Sequence, residues 1–323
     1  MSVSVLAAGW SGIFAGFEGP RSRWQTKETL RVFDGYFTPD VLPKFLLDGR
    51  RPIVAVGSCF ARQIEMSFQR NGVVTANQLM NQHEYVLEAR RNDSVLQNRF
   101  NVPSICYELK CMADPTWLGQ RLLYQFKNRT YDAFFSRGQR RDIPLDDRLA
   151  MRRRIFEYQH SVLQNADAVI LTLGLSEAVF DKKDELYLNS IPMLGLAATE
   201  VFEDRFDGHL IDTDTSLQAL EDARLELMHV RPDIKIIVTV SPVPLDSTFS
   251  GGDVVVANAA SKSMLRATAH RFSSRYDNVD YFPSFEMVTY SDPTMAFRPD
   301  RRHVTGAMVD QITGLFRSRY VAP

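Results

Sequence analysis

An α/β fold, in which helices cover both faces of a parallel sheet, is the class this chain predicts, and three observations carry it. Residues 53–57, 72–76, 168–174, 234–241 and 279–282 are short apolar runs that read as strands buried on both faces. Helical stretches alternate with them, with apolar residues recurring at three- and four-residue intervals over 146–165, 216–231, 253–276 and 305–319. The order of the two kinds of element is the third observation, because strand-helix alternation implies parallel pairing, with an active site at the carboxyl ends of the strands.

The first strand, Ile53-Val54-Ala55-Val56-Gly57, runs straight into Ser58-Cys59-Phe60-Ala61. From Phe60 the pattern turns helical, with Phe60, Ile64 and Phe68 on one face and Arg62, Gln63, Glu65 and Gln69 between them, until Asn71-Gly72 stops it. Two nucleophile-capable side chains therefore sit at a helix N-terminus. The free N–H groups and the positive end of the dipole there favour a thiolate or an oxyanion.

Residues 98–143 do not fit the alternation. They are rich in aromatics (Phe100, Tyr107, Trp117, Tyr124, Phe126, Tyr131, Phe134, Phe135) and read as an insertion, either a lid or a small subdomain with its own core. In the helix over 146–165, Arg152-Arg153-Arg154 reads as a solvated face. Residues 181–212 read as a long irregular connection between the third strand and the next helix. With no repeat or low-complexity tract, the 323 residues are expected to form one domain.

Composition bounds the function. A hydrophobic content of 45% and a net charge of −1 suit an ordinary globular protein, and nothing in that balance points to nucleic acid or an anionic membrane. Cys59, Cys106 and Cys111 are odd in number and form no secreted disulfide framework, so a reducing compartment, by default the cytoplasm, is expected. The apolar stretch over 3–17 lacks preceding basic residues and contains Trp10 and several glycines, unlike a signal peptide, and no run is long enough to span a bilayer. His83, His160, His209, His229 and His270 show no metal-ligand spacing, and no metal or cofactor is expected.

Three strand ends carry candidate chemistry. After the first come Ser58 and Cys59. After the third comes Thr172-Leu173-Gly174-Leu175-Ser176-Glu177, where a glycine lets the backbone approach a ligand and Ser176 can donate a hydrogen bond. After the last comes Asp300-Arg301-Arg302-His303, whose spacing lets the carboxylate orient the imidazole. Each has a plainer reading as well. Cys59 can be a small buried hydrophobe, Ser58 a helix cap, Gly174 a turn, Ser176 and Glu177 a helix start, and His303 a structural hydrogen-bonding residue.

Gly57-Ser58-Cys59-Phe60-Ala61 resembles the signature of the GSCFA domain family, which groups with the SGNH (GDSL-like) hydrolases. Thr172-Leu173-Gly174-Leu175-Ser176-Glu177, Thr239-Val240-Ser241-Pro242-Val243 and Tyr281-Phe282-Pro283-Ser284-Phe285-Glu286 are similar to further blocks of that family, and Asp300-x-x-His303 falls where SGNH enzymes keep an Asp-x-x-His. The resemblance implies a three-layer α/β/α fold with a flavodoxin-like sheet. It also implies hydrolysis or transfer of acyl groups, often on acetylated glycans or lipids, through a nucleophile, a histidine and an aspartate, with the oxyanion held by backbone N–H groups, a glycine and an asparagine.

The chain departs from the SGNH pattern. Aligning the glycine of Gly-Asp-Ser with Gly57 puts Cys59 at the nucleophile, whereas a shift of one residue restores Ser58. Gly174-Leu175-Ser176 stands where Gly-x-Asn is expected. The second-block glycine has no clear match, but Asn77 and Asn81 follow the second strand as candidate donors. The expectation is thus an esterase-like hydrolase or acyltransferase acting on a glycan or small-molecule acyl substrate. Cys59 or Ser58 is its nucleophile, His303 and Asp300 its base and orienter, and Gly174, Ser176, Asn77 and Glu177 line its oxyanion or substrate site. A non-catalytic module that keeps the fold and binds a glycan or a protein is the alternative. A Rossmann-type nucleotide site is disfavoured, since Gly57 is not followed by the glycines a phosphate-cradling turn needs.

Overall fold

The structure, a computed structural model, describes residues 31–76, 98–126, 129–135, 144–189 and 204–322, with Ser11 and Ser22 as isolated positions. In chain order the strands are β1 (Val32–Phe33), β2 (Tyr36–Phe37), β3 (Ile53–Gly57), β4 (Leu123–Phe126), β5 (Arg129–Asp132), β6 (Ala168–Leu173), β7 (Glu177–Asp181), β8 (Leu186–Tyr187), β9 (Phe206–Leu210), β10 (Lys235–Val240) and β11 (Val279–Tyr281). The helices are α1 (Cys59–Arg70), α2 (Val102–Ala113), α3 (Leu145–Asn165), α4 (Thr213–Val230), α5 (Val254–Arg275), α6 (Ser284–Thr289), α7 (Pro293–Ala296) and α8 (Gly306–Tyr320).

The central sheet runs β11-β10-β6-β3, every pair parallel. A single parallel bridge between Ile53 and Thr75 continues it beyond β3. Counting that bridge, the order across the sheet, with strands numbered along the chain, is 2-1-3-4-5, the flavodoxin-like arrangement. Residues 72–76 therefore pair much less than the strand expected there. Gly72, at φ +79°, turns the chain so that it meets only the first residue of β3, through Ile53 N–H to Val74 O at 3.0 Å.

The period of two in the strands sorts their side chains into two faces. Val54, Val56, Val169, Leu171, Leu173, Ile236, Val238 and Val240 meet α2, α4 and α5 on one side. Ile53, Ala168, Ile170 and Ile237 meet Phe60, Ile64 and Phe68 of α1 and Met308, Ile312 and Phe316 of α8 on the other. This is the three-layer α/β/α sandwich, and each buried Val, Ile or Leu contributes about 1.5–3 kcal/mol by leaving water. Side-chain caps open α2, α4, α5 and α8: Asn101 accepts from Ser104 N–H at 2.9 Å, Asp212 from Thr215 N–H at 2.7 Å, Asp253 from Val255 N–H at 2.7 Å and Thr305 from Met308 N–H at 3.2 Å.

The described parts of the two stretches outside the alternation hold regular elements that their sequences do not announce. Within 98–143, α2 belongs to the central core through Val102, Ile105, Cys106, Leu109 and Met112, an i, i+3, i+4, i+7, i+10 stripe. The β4-β5 hairpin follows it, and a third cluster joins Leu118, Leu122, Tyr124, Phe134 and Phe135 to Phe156 of α3. Residues 181–212 hold most of an antiparallel sheet in the order β8-β7-β9. Arg152 corrects the reading of the arginine triplet: only Arg153 and Arg154 face solvent. The Arg152 guanidinium is buried against Asp132, at 2.7 and 2.5 Å, and caps the carbonyls of Gly119 and Arg121.

Candidate active site

The carboxyl end of β3 is shaped by a backbone that a side chain would block. Gly57 has φ +154°, and a Cβ on it would fall 2.7 Å from both Cβ and O of Thr172 in β6. The chain then turns directly into α1, with Ser58 as the cap and Cys59 as the first helical residue. Ser58 is 4% exposed. Its Oγ accepts from Phe60 N–H at 3.4 Å and donates to Ser241 Oγ at 3.3 Å, reaching past the end of β6 to that of β10.

Cys59 is only partly buried. Burial pushes its thiol above the ordinary range, although the Arg302 charge, the N–H groups of Phe60 and Cys59 itself, and Arg62 pull it back down. At neutral pH the resting group is therefore a thiol that needs a base.

Residues 98–101 lie where β3 stops and β6 continues. Arg99 N–H donates to Gly57 O at 2.7 Å and Leu175 N–H to Phe100 O at 2.7 Å. Gly174 permits this approach, since a Cβ there would stand 2.5 Å from Phe100 O. Asn189 clamps the segment from its other side, donating from Nδ2 to Asn98 O at 2.6 Å and accepting from Phe100 N–H at 2.9 Å. Arg62 donates to Asn98 Oδ1 at 2.7 and 3.2 Å, which turns the other end of that buried amide, an N–H₂ donor, away from the guanidinium.

Gly174 and Ser176 follow β6. Gly174 O accepts from Lys262 Nζ at 2.7 Å. Ser176 N–H donates to Ser261 Oγ at 3.0 Å, while its own hydroxyl is buried with no hydrogen-bond partner among the described residues. Glu177 opens β7 and holds the loop after β10, accepting from Thr248 Oγ1 at 2.5 Å and Phe249 N–H at 3.1 Å. Asn77 and Asn81 lie outside the described residues.

Asp300 and His303 form the turn before α8. His303 Nδ1 meets Asp300 Oδ2 at 2.7 Å, and Asp300 Oδ1 accepts the N–H groups of Arg302 and His303 at 3.0 Å each. The His303 side chain first, then those two N–H groups, hold the Asp300 carboxyl far below the usual carboxylate range. Arg301, at φ +53°, closes the turn, and Arg302 ties it to Asp246 of the loop after β10 at 2.7 Å. Val304, next to His303, and Phe60, next to Cys59, belong to one buried cluster, so this turn and the start of α1 share one corner of the sheet, where the Arg302 charge acts on Cys59.

Two residues of this corner escaped the sequence reading. Lys262 carried a signal: it falls in line with Leu265, Ala269 and Phe272, and a lysine in an apolar helix stripe is an anomaly. Asn98 carried none, since only its pairing beside Gly57 gives it a place.

The fold and its carboxyl-edge corner define an α/β protein with a cysteine at a strand-to-helix turn. The profile described as the GSCFA family matches residues 52–316, and the chain belongs to that family. A search of curated proteins found no match. Among solved structures, it is similar to a Clostridium thermocellum family 3 carbohydrate esterase, with 10% identity, 83% of this chain and 94% of that one covered, and a TM-score of 0.33. It is also similar to a Corynascus thermopiles (Myceliophthora fergusii) carbohydrate esterase family 2 enzyme with a carbohydrate-binding domain, with 12% identity, 88% and 68% covered, and a TM-score of 0.35.

Proposed function

We propose that this GSCFA chain is an SGNH-like acyl-ester hydrolase or acyltransferase that works through an acyl-enzyme on Cys59, without a cofactor, on acylated glycans or small molecules. The observation that carries this reading is a partly exposed thiol at a helix N-terminus, sharing its corner with an imidazole already hydrogen-bonded to an ionised carboxylate. Ser58 is the weaker nucleophile of the two, because its hydroxyl is engaged in the helix cap and with Ser241.

In the proposed reaction His303 Nε2 removes the proton from the Cys59 thiol, and Sγ attacks the acyl carbonyl carbon. Asp300 keeps Nδ1 protonated and stabilises the imidazolium. The oxyanion is held by the N–H groups at the start of α1, the Asn98 amide and the corner formed by Gly174 and Ser176. His303 then returns the proton to the departing alcohol oxygen, leaving a thioester that water or an acceptor hydroxyl or amine resolves.

Hydrolysis of p-nitrophenyl acetate and a panel of acetylated sugars tests this. Asp300→Asn is expected to lower kcat/KM by about 10²–10⁴-fold while leaving the thermal melt almost unchanged, because the pair is exposed. The low carboxyl pKa fixes the sign of the pH dependence. Asp300 is ionised throughout weakly acidic pH, so loss of the carboxylate produces no acid limb of kcat/KM there. A wild type that turns over nothing in the panel would contradict the proposal.

A further inference from the structure

The chain after β10, residues 241–249, touches a neighbour of each group in the proposed reaction. Ser241 Oγ accepts from Ser58, next to Cys59, at 3.3 Å. Asp246 pairs with Arg302, next to His303, at 2.7 Å. Thr248 Oγ1 and Phe249 N–H donate to Glu177, next to Ser176, at 2.5 and 3.1 Å. One segment thus runs along the carboxyl edge past the nucleophile, the base and the oxyanion corner, and forms a wall of the space they share. Helix α5 fastens it from behind: Lys262 Nζ donates to Val243 O at 2.7 Å, and Asn258 Oδ1 accepts from Leu245 N–H at 3.1 Å.

Phe249 ends this wall with 48% of its surface exposed. The loop does not depend on the ring, since its attachments are made by the backbone and by Asp246 and Thr248. The ring nevertheless has a seat. It lies against Gly208 of β9, where a Cβ would come 3.0 and 3.1 Å from Cε2 and Cδ2 of Phe249. A bare stretch of backbone holds one edge of the ring, the rest stays open, and Leu210 continues the apolar surface along the same face of β9. Granted that Cys59 carries the acyl-enzyme, we propose that Phe249 is a specificity-determining residue, the platform for the alcohol part of the substrate, which selects alcohols with a flat apolar ring face. The alcohol departs on the His303 side, and Asp246, held beside His303, stands three residues from Phe249, at most about 11 Å of chain. A seated ring offers a flat ligand face a large contact area and loses little freedom on binding. A short alkyl alcohol leaves that surface in water.

Phenyl acetate, a monoacetylated methyl glucopyranoside and ethyl acetate test this in the wild type, Phe249→Ala, Phe249→Leu and Phe249→Tyr. The readout is kcat/KM on each ring ester divided by that on ethyl acetate. Phe249→Ala is expected to lower this ratio about 3–10-fold for at least one ring ester, through KM, and Phe249→Tyr to keep it. The ester that responds tells whether the platform takes an aryl or a pyranose face. Phe249→Leu keeps apolar bulk on Gly208 without the flat ring and decides the matter if Phe249→Ala does not fold. An unchanged ratio for both ring esters in the variant that folds overturns the inference. Turnover in the wild type separates the two readings. Turnover with an unchanged ratio removes the platform and leaves the enzyme. No turnover removes the enzyme, and saturation-transfer NMR with the intact ring esters then decides on Phe249: transfer lost in Phe249→Ala leaves a ring-binding surface, and equal transfer removes it.

Discussion

Cys59→Ala abolishes ester turnover, with an expected fall in kcat on the order of 10⁴-fold or more, whereas Ser58→Ala keeps turnover within about tenfold of the wild type. The contrast follows from what each side chain is already doing. Ser58 is almost fully buried and caps α1, so losing it costs about 1 kcal/mol of stability and leaves Phe60 N–H without its partner. Cys59 is the partly exposed group, and the field of Arg302, the N–H groups of Phe60 and Cys59 itself, and Arg62 favour its thiolate. Steady-state kinetics on p-nitrophenyl acetate, with a thermal melt of each variant, check both halves. If Ser58→Ala is the dead variant and Cys59→Ala the active one, the nucleophile is reversed.

Gly57→Ala destabilises the fold by about 2–6 kcal/mol and removes activity with it. Two costs combine. The backbone at φ +154° disfavours any side chain by about 1–3 kcal/mol, and the added Cβ overpacks against Thr172 for a similar amount. The neighbour cannot yield cheaply, since one of the atoms struck is the carbonyl oxygen of Thr172 in the middle layer of the sandwich. Gly72 is the internal control. It is also left-handed, at φ +79°, but a Cβ there would meet nothing within 4 Å, so Gly72→Ala carries only the backbone strain of about 1–2 kcal/mol. Urea unfolding of the two variants measures the difference, and equal losses would show that the contact with Thr172 contributes nothing.

The sandwich was legible because its strands are apolar on both faces and its helices keep one apolar stripe, so the two periods fall in alternation along the chain. The bounds of β6, β10, β11, α3, α4, α5 and α8 agree with the sequence reading to within about three residues. Helix α2 was hidden by the aromatic residues around it, which drew attention to an insertion and away from the stripe from Val102 to Met112. The sheet of β7, β8 and β9 was hidden because β8 is only two residues long, β9 pairs with β7 from far along the chain, and β9 contains Gly208 and His209 between exposed positions. Arg152 illustrates the limit of reading charge as surface: its partner Asp132 comes from another element, and nothing local announces that pairing.

The candidate corner was legible only where it is built from local turns. Gly57, Ser58 and Cys59 announce themselves at a strand end, and Asp300 and His303 pair within one turn. Asn98, Ser241 and Lys262 enter through contacts 36 to 183 residues away along the chain, between Arg62 and Asn98, Gly174 and Lys262, and Ser58 and Ser241. The Ser176 hydroxyl, buried without a partner, and Glu177, spent on the loop at 248–249, differ in a way that adjacent positions in one motif do not reveal.

The central claim is covalent catalysis on Cys59, and trapping the intermediate tests it most directly. Wild-type protein is mixed with an excess of p-nitrophenyl acetate, quenched in acid within the first turnovers, and its intact mass and tryptic peptides are read. The proposed mechanism predicts one added acetyl group on the peptide bearing Cys59, absent in Cys59→Ala and slow to form in His303→Ala. An acetyl group on Ser58, or none at all while the ester is being turned over, would contradict it.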